Sequence, residues 1–348
     1  MKFQRRLGVV CVGWLMILAG LCWTARAFDD KPEPAVDKGT ASPPPVAFQS
    51  RSTARREKQL AEAGGTEESE RSVAAAINWL ARHQNPDGSW GCANFEKQCK
   101  DPSCKAHLKQ GGFNQGGGGA DYQAAATAFG LLPLLAAGQT HQTKGPYQKV
   151  VDNGLLWLTK NQNEETGRFG NGNMYEHGLA TIAICEAYGL TKDLKLRNLA
   201  QGAIRFTEDA QNDVSGGWHY TANPPTVGDT SVLGWQYMSL VSAQLAGLKV
   251  NPQSLANAKR FLASVSKGKS SGLFSYIPES GPAPAMSSVG LLCKQYEGIN
   301  RTDPAMVEGM NYVMANLNGA KHDSYFLYYA TQVMHNLSGT EWEKWNEP

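Results

Sequence analysis

Three stretches carry residue types and spacings that could do chemistry. Tyr175-Glu176-His177 sets a carboxylate and a histidine on one turn, where, facing a cavity, they can trade protons; the alternative is a satisfied buried polar pair. Asp229, in VGDTSVLGWQ (227–236), precedes an apolar run, a position that suits an ordinary helix N-cap as well as an acid. Asp121 and Asp323 stand in the same relation to two other apolar runs. The third stretch is Cys92-x6-Cys99-x4-Cys104-x2-His107, four soft ligands in sixteen residues, which could hold zinc. That spacing is not a standard zinc ribbon, and in a chain read below as exported the expectation is a Cys99–Cys104 disulfide, with no metal and no cofactor assigned. Cys185 and Cys293 lie on apolar patterns and read as small buried thiols.

Aromatic residues form a fourth grouping. Tyr325, Tyr328, Tyr329, Gln332 and His335 cover one broad side of a helical pattern, and with Trp235 and Tyr237 they could line a cavity suited to a lipid or a sugar. Core packing is the plain alternative for such a stripe.

To act together these groups must be brought to one place, and two kinds of helical segment alternate along the chain. In the first kind, Val73, Ile77, Trp79 and Leu80 recur at helical spacing up to Gln84, and then Asn85-Pro86-Asp87-Gly88 makes a turn that returns Trp90. The pattern of glutamine, glycine turn and aromatic comes back with Gln162 and Phe169, and with Gln211 and Trp218. Segments 254–276 and 307–326 keep the helix and lose the glutamine. The second kind, at 121–138, 175–190, 229–248, 285–296 and 323–337, is poor in charge and apolar nearly all round, the composition of a helix buried on both faces. Five alternations at a spacing of about 50 residues fit a ring better than an open solenoid, in which both helices keep a wet face.

Gln-x(3–6)-Gly-x-Trp/Phe after a helix resembles the Trp-Gln repeat of squalene–hopene cyclases and protein prenyltransferase β subunits, over roughly residues 70–345. The resemblance implies an all-α fold, an α/α toroid of outer and inner helices. It makes Gln84, Trp90, Gln162, Phe169, Gln211 and Trp218 structural ties between outer helices. It also implies a site at one mouth of the ring, where inner helices begin, with Asp229, Glu176 and His177 as catalytic candidates and Tyr122, Tyr175, Trp235, Tyr325, Tyr329 and Gln332 as substrate contacts. Of the cyclase Asp-x-Asp-Asp-Thr-Ala stretch only the last aspartate, Asp229, is matched; Gly228 stands where the proton donor would fall, and Thr226 at the first aspartate. The chain has no Asp-Asp-x-x-Asp magnesium motif and no Gly-Cys-Gly-Glu-Gln thioester signature.

A ring of that family has about six pairs, whereas five are present before Trp342 and Trp345 begin a sixth outer helix. A missing pair would expose about half a dozen large apolar side chains at roughly 1.5–3 kcal/mol each, so the expectation is a C-terminally shortened chain, or a partner or second copy on the open edge.

The 348 residues, 41% of them hydrophobic, can hold a real core. Residues 1–27 read as an export signal: Lys2, Arg5 and Arg6, an apolar run from Leu7 to Trp23, and Ala25-Arg26-Ala27. The expected location is periplasmic or secreted, or membrane-tethered if the signal is uncleaved. Residues 28–70, rich in proline and then in charge, read as a tether, leaving 71–348 as the folded domain with an insertion at 92–119. Without the four basic residues of the signal the formal charge of +2 becomes about −2, and no basic stripe points to nucleic acid. Two functions follow as expectations: a cyclase-like enzyme acting on a terpenoid or other large apolar substrate, or a non-catalytic module that holds a lipid, glycan or protein.

Overall fold

The computed structural model describes residues 48, 64–92, 95–102, 104, 122–223 and 226–346. The expected export signal, most of the tether, most of the 92–119 insertion with His107, and Asp121 lie outside the described residues.

Helix dominates the described residues, and the fold is all-α. In chain order the helices are α1 (Glu67–Arg82), α2 (Gln123–Ala136), α3 (Gln148–Lys160), α4 (Met174–Thr191), α5 (Leu194–Asp209), α6 (Thr230–Leu245), α7 (Pro252–Ser264), α8 (Pro284–Tyr296), α9 (Pro304–Ala320), α10 (Ser324–Leu337) and α11 (Gly339–Asn346). A small ribbon, β1 (Ser266–Lys267) against β2 (Leu273–Phe274), fills the turn after α7.

The charge-poor segments are α2, α4, α6, α8 and α10, and they pack on one another in that series. α4 is buried nearly all round, from Met174 through Glu176 to Gly189, as its composition requires. The series also turns in on itself. Trp235 of α6 meets the edge of Phe129 of α2 at 6.0 Å, and Tyr328 and Tyr329 of α10 at 5.1 and 5.3 Å. The charged helices lie outside this set: α1 and α3 against α2, α5 against α4 and α6, α7 against α6, α9 against α8 and α10.

The turns after the outer helices follow one pattern. Gln84 Nε2 donates to the Gly88 and Val150 carbonyls, both at 2.9 Å; Gln162 to Gly167 and Leu199, both at 2.9 Å; Gln211 to Gly216 and Ser254, at 2.9 and 3.0 Å. Each glutamine thus ties its own turn to the start of the next outer helix. The turn needs glycine: Gly216 has φ +82°, and a Cβ there would lie 2.0 Å from the Asn257 carbonyl oxygen. Trp90 and Trp218 fold back to donate Nε1 to Leu80 and Thr207 carbonyls at 2.9 and 2.7 Å. After α7, where the glutamine is lost, Glu308 of α9 reaches back instead and accepts from the Lys269, Ser270 and Gly272 amides.

Two expectations are corrected here. The tether does not run to 70: Thr66 and Ser69 form a reciprocal capping box, Glu67, Glu68 and Glu70 sit where the helix dipole favours acids, and α1 begins at Glu67. Phe48, also placed in the tether, is buried against Gly189. The second is the row of bare apolar side chains foreseen at the last pair. Phe326, Tyr329, Val333, Met334 and Leu337 of α10 are buried, because α9 and α11 cover that helix, Trp342 resting edge-on against His335 and Trp345 donating Nε1 to Thr331 Oγ1 at 3.1 Å. Among the described inner helices the one exposed large apolar side chain is Phe129.

Candidate functional site

The first turns of α4, α6 and α10 converge on Asp229. Its backbone is extended, so its side chain can fold over the start of α6, where Oδ1 accepts from the Val232 amide at 3.0 Å and from Ser231 Oγ. The other oxygen, Oδ2, is buried and has no hydrogen-bond partner. Ser231 is itself the hub for two tyrosines: Tyr175 of α4 donates to its Oγ at 2.6 Å, and Tyr325 of α10 donates to its carbonyl at 2.9 Å. Tyr220 stacks on Tyr175 at 5.4 Å, and Tyr276 donates to the Tyr220 hydroxyl at 3.2 Å. Burial first, then neighbouring phenols and the Asp229 carboxylate, push Tyr175, Tyr276 and Tyr325 up, so all three stay phenols. The donation order runs Tyr175 to Ser231 to Asp229. Tyr175 and Tyr325 thus both give their hydroxyl protons to Ser231.

The loop that carries Asp229 has no room for a second acid. Gly228 has φ +84°, and a Cβ there would lie 2.7 Å from the Trp218 carbonyl oxygen and 2.9 Å from its nitrogen. The Asp229 amide donates to that same carbonyl at 2.9 Å, which fixes the approach.

Glu176 and His177 do not work as a pair. Glu176 is buried and accepts from the Asn171 amide at 3.2 Å, while His177 turns toward α5. Its Nδ1 accepts from the Phe169 amide at 3.2 Å and its Nε2 lies 2.9 Å from Thr207 Oγ1, so both ring nitrogens are committed. Burial pulls its pKa down to about 3, leaving it neutral. The expectation that these two trade protons is corrected: His177 is a satisfied core histidine.

The aromatic stripe splits. Trp235, Tyr329 and Gln332 are buried, and Trp235 with Tyr325, Tyr328 and Tyr329 packs ring to ring, filling the middle of the helix set. Gln332 Nε2 bonds its own helix at the Tyr328 carbonyl. Only Tyr175 and Tyr325 of the expected substrate contacts reach Asp229's cluster; Tyr122, 44% exposed at the start of α2, is not part of its hydrogen bonds. Even so, Trp235 Nε1 and Tyr329 Oη are buried without partners, like Asp229 Oδ2.

Sequence reasoning passed over Tyr220, Tyr276 and Ser231. The signal for the tyrosines was present: Trp218-x-Tyr220 and Phe274-x-Tyr276 put a tyrosine two residues after the repeat aromatic in successive copies.

Cys99 and Cys104 are two thiols with sulfurs 3.6 Å apart, which corrects the expected disulfide, since a bonded pair lies about 2.05 Å apart. The Cys104 amide bonds the Asp101 carbonyl and Asp101 pairs with Arg82, a turn that leaves the sulfurs in contact only. Cys185 and Cys293 are buried thiols, pushed up by burial.

Among the described residues no helix is long and apolar enough to cross a membrane. No model of a known protein family matches the chain, and no curated protein matches it either.

Proposed function

We propose that this protein is an exported α/α toroid that binds a carbohydrate, without turning it over, at the mouth where α4, α6 and α10 begin. The serial packing of α2, α4, α6, α8 and α10, and the meeting of α2, α6 and α10 at Trp235, speak for the ring. One observation carries the ligand class: Asp229 Oδ2 is buried with no partner beside Tyr175 and Tyr325, whose hydroxyls donate to Ser231. A sugar supplies hydroxyl groups for these polar atoms and a ring face for Tyr220, which is 37% exposed. A terpenoid supplies neither, and the space it would need is occupied by Trp235, Tyr328 and Tyr329. The cyclase reading that comes with the repeat rests on Asp229 alone and lacks an acid at Gly228.

Calorimetric titration of the full chain with a panel of neutral oligosaccharides tests this. At least one should bind, and Tyr220→Ala should weaken it about tenfold or more, as loss of a stacking face of roughly 1.5 kcal/mol requires. Absence of binding across the panel, or consumption of a C30 isoprenoid that Asp229→Asn abolishes, would overturn the proposal.

A further inference from the structure

We propose that His83, Cys99 and Cys104 form a zinc site that clips the start of the insertion onto the end of α1. The ligand atoms of these three residues lie within 4.8 Å of one another. The two sulfurs are 3.6 Å apart, and two thiolates on a tetrahedral zinc, each at about 2.3 Å from it, stand about 3.8 Å apart.

His83 supplies the independent observation. It is 1% exposed, and its Nε2 has no hydrogen-bond partner. Its Nδ1 lies 2.6 Å from the Trp79 carbonyl, one turn back on α1, and can only donate to that oxygen. The proton is therefore on Nδ1 and the lone pair on Nε2, the arrangement in which a metal-bound histidine is held by a carbonyl behind it. The ring is clamped as well: Trp79 stacks on it at 3.8 Å, and Phe95 lies at 6.1 Å. Across the gap, the Arg82–Asp101 pair at 3.0 Å anchors the turn between the two cysteines to the same end of α1.

Two thiolates and an imidazole are the ligand set of a zinc centre, whereas hard cations such as calcium and magnesium take oxygen. Binding forms two Zn–S bonds and one Zn–N bond and releases the two thiol protons to solvent. Among the described residues these three are the ones gathered here. The site lies on α1 and the insertion, so it is independent of the carbohydrate proposal.

The test is metal content. The full chain, reduced and dialysed against zinc, should hold one zinc per molecule by mass spectrometry, and cobalt in its place should give the visible spectrum of a tetrahedral thiolate site. Cys104→Ser and His83→Ala should each weaken zinc binding more than about 100-fold, beyond the 10–100-fold lost with an outer-shell partner. His83→Ala removes a buried ring, so the loop variant Cys104→Ser, with helicity unchanged by circular dichroism, is the decisive one. Substoichiometric zinc in the reduced wild type, undiminished zinc in a Cys99→Ser, Cys104→Ser double variant, or a Cys99–Cys104 disulfide in protein isolated from an oxidising compartment would overturn the proposal.

Discussion

Replacing Gln211 by leucine isolates the tie between neighbouring outer helices. Leucine nearly keeps the volume, so the cost is polar: Gln211 is 5% exposed, and its Nε2 serves the Gly216 and Ser254 carbonyls at 2.9 and 3.0 Å. Each bond contributes about 1 kcal/mol net, and a buried carbonyl stripped of its donor costs about 1–3 kcal/mol, so the variant should lose about 2–4 kcal/mol. Against a typical domain stability of about 5–15 kcal/mol that is a large fraction. Gln84 and Gln162 make the same two bonds but are only half-buried, so water can replace the amide, and their leucine variants should lose about 1–2 kcal/mol. Urea unfolding of the full chain, followed by far-ultraviolet circular dichroism, gives all three values. A loss below about 0.5 kcal/mol for Gln211→Leu, or a larger loss for Gln84→Leu, would refute the argument from buried carbonyls.

Glu308 replaces the lost glutamine after α7; burial raises its carboxyl, but the Gly272, Ser270 and Lys269 amides outweigh this and hold it below the usual value of 4.5. A depressed folded pKa gives stability that is present above the unfolded value and lost as pH falls through the folded one, so Glu308→Gln should cost about 1 kcal/mol at pH 7 and nothing once the wild-type carboxyl is protonated, measured by urea midpoints across that range. His177 and His335 are pulled down by burial, from 6.5 to about 3 and about 4. The unfolded chain takes up protons that these rings refuse, so stability should fall as pH drops below about 6.5, by up to about 1.4 kcal/mol per unit for each histidine. His335→Phe should flatten the limb between pH 6.5 and 4, and an unchanged slope would contradict its neutrality in the fold.

What could be read from the sequence follows from how local its cause is. Segment 323–337 is helical over Ser324–Leu337, because charge-poor composition and an aspartate at its start are properties of the segment itself. The glutamine turns were legible for the same reason. The start of α1 was missed because Thr66 and Ser69 hide a capping box inside a charge-rich run that otherwise has the composition of a tether. Glu308 could not be read as the substitute for a glutamine, since it reaches its turn from the following helix. His83 lay outside any motif; its meeting with Cys99 and Cys104 depends on how the insertion folds back on α1. Glu176-His177 misled through sequence adjacency, since on a helix consecutive residues point about 100° apart, and here one faces a loop and the other α5.

The aromatic that locks the turn after α5 also limits the chemistry beside Asp229. Trp218 is wholly buried with its indole bonded to the Thr207 carbonyl, and its carbonyl takes the Asp229 amide. An acid at position 228 would have to displace that backbone, for its Cβ would fall 2.7 Å from the Trp218 oxygen in a left-handed conformation that only glycine adopts freely. Moving Trp218 would in turn open the core beneath α5, at the roughly 3–5 kcal/mol that loss of a buried aromatic costs. A second acid beside Asp229 is therefore opposed by Trp218, the aromatic that locks the turn after α5. What is left beside Gly228 is Asp229 with its tyrosines, held in order by Ser231, which the carbohydrate proposal uses to recognise a hydroxylated ligand rather than to protonate an alkene.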